Sequence, residues 1–207
     1  MKVLMLNGSP HQFGCTYTAL RAISDVLQSE QIKTEIIWLG DKPLQDCVGC
    51  HACVKLGKCI FDDDIVNELL EKSKLADGFV FGAPAFYAHP GGRILSVLDR
   101  LFTSGEKYFS YKPGAAIVTA RRAGTTAALD VLNKFFTMTK MPVVSSHYWN
   151  SIHGRTPEET RQDAEGMQTL KILGRNMAWL MKSLNISQAA GLYHPEPVAR
   201  HNTNFIR

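Results

Sequence analysis

Short, continuous apolar runs recur along this chain, and stretches whose apolar residues return with a helical period lie between them. Val3-Leu4-Met5-Leu6, Gly78-Phe79-Val80-Phe81-Gly82 and Ala115-Ala116-Ile117-Val118-Thr119 are apolar on nearly every side chain. A strand reads this way when both of its faces are buried, as in parallel sheets covered by helices. Thr34 to Leu39 and Pro142-Val143-Val144-Ser145-Ser146 bring the expected strands to five. Helices are expected at Thr16 to Ser29, at about Gly92 to Leu101, at Thr125 to Thr139, and over a long final segment from about Pro157 to Leu184. One more should follow Asp62-Asp63-Asp64, whose carboxylates suit the positive end of a helix carrying Ile65, Val66, Leu69 and Leu70. Parallel neighbours need long crossovers, so the alternation predicts an α/β fold: a doubly wound, five-stranded parallel sheet with helices on both faces.

The length of 207 residues, with 20% charged and 45% hydrophobic residues, fits one domain with a substantial core. We place that domain at residues 1–184, with 185–207 as a C-terminal arm that contains Pro195 and Pro197 and packs on the body or on a partner subunit. The net charge of +4 is not gathered into a Lys/Arg stripe, which argues against a nucleic-acid partner. The apolar runs are too short to span a bilayer or to form a signal core, so no membrane partner is expected and the cytoplasm is the expected compartment. There, clustered cysteines serve more often as ligands or redox groups than as structural disulfides.

Ligands of doubly wound sheets bind at the carboxyl ends of the strands, beside the point where strand order reverses. The loop after the first strand, Gly8-Ser9-Pro10-His11-Gln12-Phe13-Gly14-Cys15-Thr16-Tyr17-Thr18, is rich in glycine and hydroxyls and opens onto a helix. Such a helix start binds phosphate through backbone N–H groups and the helix dipole. The loop has neither the triphosphate nor the dinucleotide glycine pattern, which points to a mononucleotide; a capped turn without a ligand is the alternative. The loop after the third strand, Gly82 to Gly92, joins small residues to Phe86 and Tyr87, a surface suited to a flat aromatic ring or to packing at a loop base. After the fourth strand, Arg121 and Arg122 could meet an anion or stand solvated. Tyr148 and Trp149 end the fifth strand as candidates for subunit packing or for covering a neighbour's ligand.

Four of the five cysteines, Cys47, Cys50, Cys53 and Cys59, are spaced C-x2-C-x2-C-x5-C. Three thiols at three-residue intervals are similar to the ligand run of [4Fe–4S] sites, while zinc sites more often pair two C-x2-4-C units across a longer loop.

Taken together and in this order, Asn7-Gly8-Ser9-Pro10 with Gly14-x-Thr16, the Pro84-x-x-Tyr87 loop and the loop from Thr119 resemble the flavodoxin-like NAD(P)H-dependent FMN reductases. The resemblance implies that Ser9, His11, Cys15, Thr16, Tyr17 and Thr18 face the FMN phosphate. It also implies that Pro84, Ala85, Phe86 and Tyr87 line the ring and ribityl chain, and that Thr119, Ala120, Arg121, Gly124 and Thr125 close over the flavin. His11 and Cys15 depart from the family's commoner basic residue and Asn. NAD(P)H is the implied donor, the flavin does the chemistry with no side chain as acid or base, the acceptor is unnamed, and a homodimer or homotetramer is expected. The cysteine run resembles that of the iron–sulfur flavoprotein branch, in which Cys47, Cys50, Cys53 and Cys59 would hold a [4Fe–4S] cluster and a ferredoxin-like donor could replace the nicotinamide. Segments ending Gly-x-Cys-x-x-Asp-Asp, as at Gly57 to Asp63, also occur in plain FMN reductases, where the thiols carry no cluster. A thiol- or zinc-based redox sensor is the reading from another class.

Overall fold

The computed structural model describes residues 1–196 together with 198, 199, 201, 203 and 205. The chain runs β1 (Lys2–Asn7), α1 (Cys15–Ser29), β2 (Lys33–Trp38), α2 (Ala52–Leu56), α3 (Val66–Lys74), β3 (Gly78–Phe86), β4 (His89–Pro90) and α4 (Gly92–Gly105). After a 3-10 turn at Glu106–Tyr108 it continues through β5 (Gly114–Ala120), α5 (Thr125–Met138), β6 (Ser151–His153), α6 (Pro157–Gln162) and α7 (Ala164–Ala189). The sheet order is β2-β1-β3-β5-β6, all parallel, with β4 turned back antiparallel on the end of β3. This is the expected flavodoxin-like doubly wound α/β sheet, and its strand order reverses between β1 and β3.

The pleat of β1 explains its unbroken apolar run. Val3 and Met5 point into a core with Leu20, Ile23 and Leu27 of α1 and Leu170, Leu173 and Met177 of α7. Leu4 and Leu6 point the other way, toward Leu69 and Leu70 of α3, Leu98 and Leu101 of α4 and Leu132 of α5. An aromatic cluster fills the second core. The Phe81 ring stacks on Phe136 at 5.0 Å and meets Phe102 edge-on at 6.0 Å, while Phe102 stacks on Phe109 at 4.3 Å. Gly114 leaves room for this cluster, since a Cβ there would fall 2.6 Å from Phe136 Cδ1.

Three expectations need correction. Residues 142–146 do not form a regular fifth strand. Only Val143 bridges to β5, at Gly114, and the ladder resumes at β6, opposite Val118–Ala120. The reason is local. Ser146 Oγ donates to the Tyr148 carbonyl at 2.6 Å and accepts from Tyr148 N at 3.3 Å, a turn that competes with strand pairing. The final helix is interrupted at Asp163, whose carboxylate accepts from Gly166 N at 2.9 Å to cap α7 and from His153 N at 2.7 Å. Helix α7 continues through Ala189, so part of the expected arm from residue 185 is helical; beyond it His194 stacks on Tyr111 at 4.4 Å, and Pro197 lies outside the described residues.

Phe81→Ala should lower the unfolding free energy by about 3–5 kcal/mol, read as a fall in the urea midpoint at unchanged slope. A loss below about 1 kcal/mol would remove the aromatic cluster from its central role.

Candidate functional site

The loop after β1 is organised by a residue that opens its motif but was expected to have no role of its own. Asn7 is fully buried; its Nδ2 donates to Gln12 O at 2.9 Å, and its Oδ1 accepts from Ser9 N at 3.1 Å. Ser9 Oγ in turn accepts from His11 N at 3.1 Å, and Trp38 Nε1 donates to the Ser9 carbonyl at 2.8 Å. Gly8 N donates to Gly82 O at 2.8 Å, and a Cβ on Gly8 would sit 2.7 Å from Ile94 Cβ, so only glycine lets β1, β3 and α4 approach this closely. Gly14 precedes α1 and no side chain caps that helix, which leaves first-turn N–H groups for an anion.

The site candidates in this loop divide. His11 is exposed, and Cys15 and Tyr17 are half-buried; Cys15 Sγ donates to Gly154 O at 3.6 Å. Thr18 is buried and its hydroxyl donates to Gly14 O at 3.2 Å. Thr16 and Thr119 are both buried, and their hydroxyls meet each other at 2.9 Å, joining the loop after β1 to the end of β5.

Strand β3 turns at Tyr87 and Ala88 into β4, pairing Phe86 with His89. Tyr87 (φ 53°) and Ala88 (φ 60°) are both left-handed, as a two-residue hairpin requires and as non-glycine residues seldom are. This turn holds Phe86 half-exposed and Tyr87 fully exposed at the rim, while Pro84 and Ala85 lie further in. Gly124 (φ 90°) completes the junction, since a Cβ there would meet Ala88 Cα at 2.8 Å. Ala120 O accepts from Gly154 N at 3.0 Å, Arg121 and Arg122 stand exposed, and Thr125 is buried in the first turn of α5. The three loops singled out in the sequence therefore meet at one edge, around the point where strand order reverses.

Beside them, the cysteine segment leaves β2 and folds over α4. A short helix, α2, starts after His51 (φ 55°) and stops at Gly57 (φ 68°). Cys47 and Cys50 are exposed, Cys53 is half-buried with Sγ donating to Thr103 O at 3.7 Å, and Cys59 is buried; all are free thiols. All four line a single cleft together with Phe61, Arg100, Thr103 and Ser104. Among the described residues no three His, Cys, Asp or Glu side chains converge as a site for one metal ion. The thiols border one cleft instead, and four clustered thiols are the donor set of an iron–sulfur cluster, whose irons are ligated separately, rather than of one converged tetrahedral ion.

Cys59 is the most firmly held of the four. Asn67 Oδ1 accepts from Cys59 N at 2.9 Å, and Asn67 Nδ2 donates to Cys59 O at 3.0 Å. Arg100, fully buried, donates from Nε to Cys59 Sγ at 3.2 Å and forks onto Asp64, which also accepts from Val66 N at 3.0 Å to start α3. Burial works against the Arg100 charge, but the bonds to Asp64 and Cys59 outweigh it and hold the pKa above the usual arginine value. Asp99, on the same helix, is pushed up by burial and by the charge of Asp46. The hydrogen bond from Lys58, with that from Asn67, holds Asp62 below the usual carboxylate range. Arg100 and Asn67 carry no role expected from the sequence, and Asp64 was expected only as a carboxylate at a helix start, where its bond from Val66 N places it. The available signal was an arginine three residues from Val97 and one from Leu101, on the inward side of an amphipathic helix.

A parallel doubly wound sheet whose glycine-rich first loop, hairpin and arginine loop converge at the switch point defines a flavodoxin-like protein. The model of the family described as NADPH-dependent FMN reductase matches residues 1–156, and the chain belongs to that family, a group of flavoprotein oxidoreductases. An iron-sulfur flavoprotein of Methanocaldococcus jannaschii is 33% identical over 190 residues, covering 88% of this chain and 98% of that protein. An iron-sulfur flavoprotein of Methanosarcina thermophila is 26% identical over 176 residues, 82% of this chain and 90% of its own. Among solved structures, RosB with a bound 8-demethyl-8-formylriboflavin-5'-phosphate intermediate superposes with a TM-score of 0.72 at 16% identity, covering 100% of this chain and 93% of that one. A flavodoxin from the domain Archaea gives 0.60 at 16% identity over 88% and 99%. At these identities the structures speak for the fold alone. No helix among the described residues is long and apolar enough to cross a membrane.

Gly124→Ala should force the β5–α5 loop away from Ala88. We expect apoprotein titration with FMN, followed by flavin fluorescence, to show affinity reduced about tenfold, equivalent to about 1.4 kcal/mol. Unchanged affinity would mean that this junction does not shape the site.

Proposed function

We propose that the chain is an electron carrier with two redox centres, FMN at the convergent loops and a [4Fe–4S] cluster on Cys47, Cys50, Cys53 and Cys59. One observation carries the reading: the four cysteines, spread over the segment between β2 and α3, line one cleft backed by a buried arginine. Curated relatives matching nearly their full length are iron-sulfur flavoproteins, which supports it. When bound, FMN supplies two-electron chemistry and the cluster one-electron chemistry, so the pair interconverts the two kinds of traffic.

The side chains bind and orient. First-turn N–H groups of α1, with Ser9, His11, Cys15, Tyr17 and Thr18, receive the phosphate, while Thr16 and Thr119 tie the loops beneath it. Pro84 and Ala85 flank the ring, with Phe86 and Tyr87 at the exposed rim. Ala120, Arg121, Gly124 and Thr125 close the opposite side. Helix α4 serves both centres: Ile94 lies against Gly8, and Arg100 against Cys59. Six residues separate them, roughly 9 Å along the axis.

NAD(P)H is the second reading of the donor, in place of a ferredoxin-like protein. It is favoured by the family description and by exposed Arg121 and Arg122 at the rim, which suit a nucleotide phosphate. Exposed Tyr148 and Trp149, packed edge-on at 4.7 Å, are the surface we assign to a second copy in a homodimer or homotetramer.

Full-length protein purified anaerobically should carry iron and acid-labile sulfide, with broad sulfur-to-iron absorption added to the flavin bands. Cys53→Ser and Cys59→Ser should lose most of the iron and keep FMN. Flavin without iron after anaerobic reconstitution would sink the cluster reading and leave the nicotinamide-dependent reductase.

A further inference from the structure

Arg100 uses every N–H of its guanidinium. Nε donates to Cys59 Sγ at 3.2 Å; Nη1 donates to Gln45 O at 3.2 Å and to Asp64 Oδ2; Nη2 donates to Phe61 O at 3.1 Å and to Asp64 Oδ1 at 3.2 Å. A guanidinium has five such hydrogens in a fixed plane, so the fork on Asp64 dictates where Nε points. The partners are also telling. Gln45 lies just before Cys47 and Phe61 just after Cys59, so one side chain grips both ends of the cysteine segment. The Phe61 ring lies 5.4 Å from the guanidinium carbon. Burying a full charge here is costly, and a clamp alone could be built from neutral amides. What a neutral residue would not supply is positive charge against sulfur.

We infer that Arg100 is a positioning and tuning residue: its Nε–H bond to the Cys59 sulfur raises the reduction potential of the cysteine centre, and Asp64 both aims that bond and offsets its charge. The inference rests on the cluster reading above. Asn67 fixes the Cys59 backbone on both sides of its Cα, which holds the residue beside the donor. Accepting one electron adds one negative charge to the cluster and its thiolates. A cationic donor on one of those sulfurs stabilises that reduced form, and a neighbouring carboxylate opposes it; hydrogen bonds to sulfur and local charge are known levers on such centres. The sign follows for each partner. Losing the Arg100 charge makes the centre harder to reduce, and losing the Asp64 charge makes it easier.

The test uses full-length protein loaded with FMN and reconstituted anaerobically with iron and sulfide. Iron content is measured first, and the cluster potential is then followed by a redox titration monitored by electron paramagnetic resonance. Arg100→Gln should shift the midpoint negative and Asp64→Asn should shift it positive, with the FMN midpoint moved less in both. A purely structural clamp would lower iron content in both variants without shifts of opposite sign. Should Arg100→Gln fail to hold iron, Asp64→Asn decides alone, and a midpoint that is unchanged or more negative overturns the inference. Wild-type protein that binds FMN but no iron overturns the cluster reading and this inference with it. Wild-type protein with iron, and variants with an unchanged midpoint, overturn this inference only.

Discussion

A parallel strand buried on both faces has nowhere to place chemistry except at its ends. Strand β1 shows this, with pairing partners along both edges and Val3 to Leu6 at most 1% exposed. Its backbone polar groups are satisfied by β2 and β3, and its side chains by two separate cores. Polar function is therefore displaced to the carboxyl edge, where the crossovers to α1 and to the helices on the opposite face diverge. Asn7, the last residue of β1, changes roles at that boundary. It keeps its place in the ladder while its side chain organises the loop that follows.

The convergence of the three loops follows from contacts that leave little tolerance. Gly8 bonds to Gly82, Thr16 to Thr119, and Gly124 packs on Ala88. Each contact joins elements distant in sequence and each depends on a small or hydroxyl side chain. The left-handed pair Tyr87 and Ala88 is held in a sparsely populated conformation by the β3–β4 pairing around it, as backbone strain at ligand sites often is.

Helix α4 gives the molecule its second organising axis. Its apolar side completes the aromatic core through Leu98, Leu101 and Phe102, and its Arg100 reaches the cysteine segment. That segment has little core of its own: Val48, Val54, Leu56 and Ile60 are exposed. Its conformation depends on Asn67 and Arg100, which anchor the buried end at Cys59. A buried ion pair contributes little net stability against an apolar alternative but is costly to break singly. That suits a group that must hold one sulfur in place.

The alternation of apolar runs and helical periods sufficed for the sheet, its parallel sense and the gathering of the three loops at the strand ends, because burial on two faces imprints directly on residue type. The order of loops and the cysteine spacing sufficed for the family. Local sequence could not show that Ser146 would divert the fifth strand, that Asp163 would cap a new helix, or that Thr16 and Thr119 would bond each other. Those outcomes are competitions between local hydrogen bonds and distant partners. Nor could spacing show that Cys47, Cys50, Cys53 and Cys59 share one cleft, or that Arg100 closes it. The sequence alone determined which residues can carry redox chemistry and on what fold. The tertiary structure decided which of them meet, because a buried guanidinium finds its sulfur, carboxylate and carbonyls only after Gln45 and the stretch from Cys59 to Asp64 have packed around it.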